Sequence, residues 1–252
     1  MPPAPVPTRP RWLGVVSLAV RRGIVQLVAL GVVIAVLLTL VALLFKWLPS
    51  SASVEFNRIQ DVYWFATAIA IGIFSLVSAV VIFSVWKWRV PLDDDADGPP
   101  IHGHTGLEIV WTAVPAVLVI AIGIVSAVVL AKNGEAGSTP PLQVNVIGQQ
   151  FTWKFVYPGY GNKTSGELVL PIHRQTKFTM TSVDVIHSFW VPNFGQKMDA
   201  VPGIKTTIYV TPTRLGNYQV VCAELCGLGH ATMRAKARVV TQGQFVSWVK
   251  GK

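Results

Sequence analysis

The stretch "CAELCGLGHATM", Cys222 to Met233, concentrates the reactive side chains of this chain. It holds both cysteines, one of five histidines and one of four methionines. The cysteines are four residues apart, and His230 and Met233 follow at intervals of four and three. Three chemistries compete for this pattern. A disulfide needs only an oxidising compartment. A buried helical stripe is a poor fit, because two glycines interrupt the stretch and it leads straight into a strand pattern. A metal site draws on all four residues at once: thiolate, imidazole and thioether together suit copper in a soft site. A mononuclear blue-copper centre takes two histidines, one cysteine and a weak methionine, so here one thiol is in excess. The second thiol makes sense if both sulfurs bridge two ions, each also held by one imidazole. That requires a second histidine from elsewhere, and His173 and His187 are the candidates. His187 lies in the turn-rich "DVIHSFWVPNFGQKMDAVPG" beside Phe189 and Trp190, which would shield a metal. His173 follows the strand pattern "ELVLPI" and reads as a solvated strand end. His187 is preferred.

The rest of the chain must position these groups. Of 252 residues, 52% are apolar and only 13% charged, against about 25% charged in average soluble domains. The deficit is local. Three runs, Ile24 to Phe45, Val62 to Trp86 and Ile109 to Ala131, carry no charge. Each exceeds the roughly 20 residues that cross a hydrocarbon core. Trp47, Trp64, Trp86, Trp88 and Trp111 sit near the ends of these runs, where amphipathic rings favour the headgroup zone. Pro115 is expected in the first turns of the third helix, where its missing N–H costs little.

Arg9, Arg11, Arg21 and Arg22 precede the first run and keep that end in the cytoplasm. Three crossings then place everything after about Lys132 outside, and leave His102 and His104 on the cytoplasmic side. The acidic loop "PLDDDADGPPIHGHTG" is discordant, but acids weigh little in the rule. Residues 1–23 read as a disordered basic N-terminus. Residues 24–48 read as a membrane helix or, with "SSAS" following, a signal sequence. Residues 62–131 form a helical hairpin, and residues 140–252 an extracytoplasmic β-domain. In that last part, alternating runs such as "LQVNVIG", "FTWKFVYP" and "RAKARVV", separated by Gly, Pro and Asn, indicate a sandwich or Greek-key barrel. The net charge of +9 does not mean nucleic acid in a chain with so apolar an N-terminal half.

Taken together, "DVIHSFWVP…KMDAVPG" and "CAELCGLGHATM" resemble the dinuclear copper (CuA) signature of subunit II of the haem–copper cytochrome c oxidases, from about Val62 to Val240. The resemblance implies a membrane-anchored all-β fold: transmembrane helices followed by a cupredoxin-like Greek-key barrel, in the plasma membrane. It implies Cys222 and Cys226 as bridging thiolates, His187 and His230 as terminal ligands, Met233 as a weak thioether ligand and Glu224 as a backbone-carbonyl ligand. The Glu224 carboxylate would also reach a Mg²⁺ shared with subunit I. "IHGHTGLEIVWT" would place Glu108 at the cytoplasmic mouth of a proton path in subunit I. Partners would be subunits I and III, the haem of subunit I, and cytochrome c or another extracytoplasmic donor. Oxygen would be reduced to water with proton pumping.

Two departures stand out. Where the family shows Trp-x-Trp, this chain reads "GQQFTWKF", so electron acceptance falls to Phe151 or Trp153. From Leu142 onward twelve Lys and Arg face four acids, a net +8. That charge would repel a basic cytochrome, so the expected donor is acidic, tethered, or docked through apolar contact. Two alternatives remain: the CuA subunit of a nitric-oxide-reducing relative, and a membrane-tethered copper carrier or assembly protein.

Overall fold

The computed structural model describes residues 11–89, 93, 100 and 102–251. The first ten residues and most of the acidic loop of the hairpin lie outside these. Helices α1 (Arg11–Leu44), α2 (Val54–Lys87) and α3 (Thr105–Asn133) are all long and apolar enough to span a membrane. Most of their aliphatic side chains are exposed on the isolated chain, so lipid or other subunits must cover them.

All three helices begin earlier than their apolar runs. The basic segment expected to be irregular up to residue 23 is helical from Arg11, because "RWLGVVSLAVRR" has few helix breakers and arginine is a good helix former. Pro115 is correspondingly an interior residue of α3 and does not sit in its first turns. α2 starts eight residues before Val62 because Ser53 caps it, its Oγ accepting from Phe56 N–H at 3.0 Å.

The chain divides into two compact units, one of residues 1–47 and 66–114, the other of residues 48–65 and 115–252. The second unit is built on two five-stranded sheets. β1 (Leu142–Gln149), β2 (Thr152–Tyr157), β3 (Lys163–Ser165), β5 (Thr176–Ser182) and β8 (Thr206–Val210) form one, in the order β3-β2-β1-β5-β8. β4 (Leu168–Pro171), β6 (His187–Trp190), β7 (Lys197–Ala200), β9 (Gly216–Cys222) and β10 (Arg234–Val240) form the other, in the order β4-β10-β9-β6-β7. The β1/β5 and β4/β10 pairs are parallel and all others antiparallel. This is the expected cupredoxin-like Greek-key arrangement.

Alternation along the strands sends Val144, Val146, Phe155, Phe178 and Met180 inward from the first sheet, against Leu168, Phe189, Val220 and Val239 of the second. Tyr157 is buried and pins the two sheets together: its hydroxyl accepts from Val169 N–H (2.8 Å) and donates to Val169 O (3.1 Å). A short helix α4 (Gln242–Val249) closes one end, started by a Thr241/Gln244 capping box and packing Phe245 near Tyr157 and Tyr160.

The same unit ties the start of α2 to the barrel through residues 50–58. Ala52 N–H donates to Asn193 O (2.8 Å), and the buried Glu55 carboxylate accepts from Thr211 N–H (2.8 Å) and Thr211 Oγ1 (3.0 Å). Arg58 Nη1 donates to Asn133 Oδ1 at 3.1 Å, joining α2 to the end of α3. Phe56 packs on Gly195, where a Cβ would collide with its ring and where φ is +76°.

Replacing Tyr157 with Phe should strand the Val169 N–H and C=O in the core and cost about 1–3 kcal/mol. Thermal unfolding of the full chain in detergent measures this, and an unchanged midpoint would contradict the pinning role.

Candidate metal centre

The second sheet brings the reactive residues together. β6 pairs with β9 so that Phe189 faces Cys222, which sets His187, at the start of β6, beside the end of β9. β9 and β10 pair in turn, and the loop between them is closed at its base by Cys222 N–H donating to Met233 O (3.2 Å). Inside that loop a single 3-10 turn, His230–Thr232, folds His230 back toward the cysteines. His187 therefore stands on a strand, not in the turn-rich loop expected from the sequence; its β6 pairing with β7 was hidden by the short segment length.

The two thiols are unlinked, with sulfurs 3.8 Å apart, well beyond the roughly 2.05 Å of a disulfide. His187 Nδ1 lies 3.9 Å from Cys222 Sγ, and His230 Nδ1 lies 3.6 Å from Cys226 Sγ. Met233 Sδ is 3.7 Å from Cys226 Sγ, and the Glu224 carbonyl oxygen is 3.2 Å from Cys222 Sγ. All six positions singled out in the sequence thus meet at one place. Among the described residues, His187, Cys222 and Cys226 form the cluster whose donor atoms approach closely enough for one ion. His187 and Met233 are fully buried and both cysteines nearly so, while the Glu224 side chain is exposed. The other candidate, His173, is exposed with φ +60° and takes no part.

Burial raises the Cys226 thiol to about 11, with the neighbouring Cys222 adding to the rise. Cys226 therefore keeps its proton until a cation replaces it. The soft donor set, the spacing and the exclusion of water all fit copper.

Several supporting residues escaped the sequence reading. Asp184 Oδ1 is 2.8 Å from His187 Nε2, the carboxylate–imidazole pairing that fixes a ligand's ring and tautomer. Partial burial alone would raise the Asp184 carboxyl, but it is overridden by hydrogen bonds from Gln150 N–H, His187, Val185 N–H and Ser182, which hold it far below the usual range. Its one sequence signal is its place three residues before His187. Gln150 donates from Nε2 to Cys226 O (2.6 Å), bracing the ligand loop. Gly148 admits the His187 ring, since a Cβ there would come within 2.9 Å of Cδ2.

The two aromatic candidates differ. Phe151 is partly exposed, and its ring lies against Gly227 and Gly229 of the ligand loop. Trp153 is buried, edge-on to His187 at 5.9 Å between centroids, with its Nε1 unpaired. Glu108 lies in the first turn of α3, where it accepts from His104 N–H at 3.3 Å, while His104 Nδ1 accepts from Leu107 N–H at 3.2 Å.

Fold and site together define a membrane-anchored cupredoxin-like protein with a largely buried cluster of two cysteines, two histidines and a methionine. Known proteins agree. The family described as "Cytochrome C oxidase subunit II, periplasmic domain" matches residues 162–240, which include all six candidate ligands. "Cytochrome C oxidase subunit II, transmembrane domain" matches residues 41–129. Cytochrome c oxidase subunit 2 of Synechocystis sp. is 31% identical over 90% of this chain and 82% of its own length. That of Thermostichus vulcanus is 32% identical over 80% and 77%. Among solved structures, the periplasmic domain of subunit II of cytochrome oxidase from Bradyrhizobium japonicum is 31% identical. It covers 45% of this chain and 94% of its own, with a TM-score of 0.43. The chain belongs to the cytochrome c oxidase subunit II family, whose members are part of haem–copper oxidase complexes.

Asp184→Asn keeps the shape of the side chain but removes its charge. It should lower metal affinity about 10–100-fold, measured by competition with a chelator. Unaltered affinity would show that Asp184 does not orient His187.

Proposed function

We propose that this chain is the electron-accepting subunit of its oxidase, with His187, Cys222, Glu224 O, Cys226, His230 and Met233 holding a dinuclear copper (CuA) centre. The observation that carries this reading is a pair of unbonded sulfurs 3.8 Å apart with an imidazole nitrogen beside each. When bound, a copper pair supplies reversible one-electron uptake and release. The chain's own contribution is stiffness and dryness. Cys222 and Cys226 are fixed by the β9–β10 clasp, Asp184 holds His187 in one tautomer, and Gln150 braces the Cys226 carbonyl. A site that does not relax on a change of charge needs little reorganisation.

Phe151 is the better placed electron-accepting side chain, since it joins the protein surface to the ligand loop; Trp153 packs behind His187. Glu108 serves as the cytoplasmic mouth of a proton path completed by subunit I, which with subunit III and haem makes up the oxygen-reducing, proton-pumping complex in the plasma membrane. The exposed Glu224 carboxylate is free to meet a Mg²⁺ at the subunit I boundary. The donor is an extracytoplasmic protein whose docking face is acidic or apolar, or which is tethered, because the barrel carries net +8.

Copper analysis and electron paramagnetic resonance of the intact oxidase test the centre. Two coppers per chain with a delocalised mixed-valence signal are expected; a single-copper signal, or full loading after His187→Ala, refutes it. Because the Cys226 thiol is held at about 11, the metal must displace a proton. The copper affinity of the reduced apo-protein should therefore rise about tenfold per unit from about pH 6 to 8 for that proton alone. A flat profile would place the metal elsewhere. Electron transfer from a basic cytochrome should not slow steeply as salt rises, and a steep fall would overturn the donor assignment.

A further inference from the structure

A cleft of about 520 Å³ opens where the start of α2 and the end of α3 meet the barrel. Ile59, Val62 and Tyr63 of α2 line one wall at helical spacing i, i+3, i+4, and Ser126, Val129 and Leu130 of α3 line the other at the same spacing. Met198 and Ile208 close it from the barrel side. We infer that this cleft seats one anionic phospholipid.

Three observations select that occupant. First, the cleft lies at the end of two membrane-length helices, lined by Tyr63 and next in sequence to the exposed Trp64, a ring expected at headgroup level. Second, its lining combines aliphatic side chains with polar ones, Asn133, Gln196 and Lys197, as an amphiphile requires. Third, Lys197 is the one charged residue among those lining it, and Arg58 stands at its edge, bonded to the lining Asn133. The nearby acids weaken this field little. The Glu55 carboxylate is occupied by Thr211, and Asp61 and Asp199 are exposed outside the lining. A volume of this size matches a small-ligand pocket, whereas a helix of a neighbouring subunit is about 10 Å across with its side chains.

The test uses the intact oxidase in mild detergent, delipidated and then offered phosphatidylglycerol or phosphatidylcholine at equal concentration, with retained lipid counted by native mass spectrometry. The wild type should hold one phosphatidylglycerol per copy of this chain, at least tenfold in preference to phosphatidylcholine. Val129→Trp should fill the cleft and abolish retention with copper and haem content unchanged. Lys197→Glu should remove the preference for the anionic headgroup. A photo-crosslinking residue at position 59 of an otherwise unaltered chain should label lipid, which keeps the test decisive if the Trp variant misassembles. Equal retention of the two lipids by the wild type, retention unaffected by Val129→Trp, or a crosslink to another subunit each overturns the proposal.

Discussion

Holding two ionisable sulfurs within 4 Å of each other, out of water and unbonded, is the demand around which this domain is organised. The pair gains nothing on its own: burial and mutual repulsion push the Cys226 thiol upward, and in an oxidising compartment the two sulfurs would fall readily into a disulfide. Only a rigid scaffold keeps them poised for a cation. That scaffold is the junction of three adjacent strands, β6, β9 and β10, with the Cys222–Met233 backbone bond drawing the ligand loop shut. The barrel therefore serves less to enclose a pocket than to fix a short loop by its ends.

Around this loop the surrounding residues divide their tasks by reach. Asp184 acts on the ring of His187, Gln150 on the carbonyl of Cys226, and Phe151 on the glycines that flank Leu228. The last of these produces an apolar tip, since Leu228 is wholly exposed beside the half-open Phe151. The ligand loop thus presents apolar side chains on a domain that is otherwise basic.

Much of this was legible in the sequence because it rests on residue type. Charge-free runs of more than 20 residues specify membrane helices, alternation specifies strands, and two cysteines with His and Met in one loop supply a donor set suited to a soft metal. What remained hidden rests on tertiary pairing. β3, β6 and β7 are three or four residues long, too short for alternation to register, so His187 read as a loop residue. Asp184 is chemically an ordinary turn aspartate until the fold turns it toward the His187 ring. α2 starts early because Ser53, Glu55 and Phe56 find partners on the barrel, which hydropathy cannot detect. α4 announced itself only by Thr241 and Gln244.

The order of the strands along the chain governs how the domain can be made. β4 lies beside β10, and α4 covers Tyr157, so early segments wait for late ones. The ligand loop and both of its closing strands come from residues 216–240. The ligand geometry therefore exists only once β9 and β10 have paired, after β1 to β8 are already made. Any metal must then enter a finished barrel, and only while both thiols are still reduced.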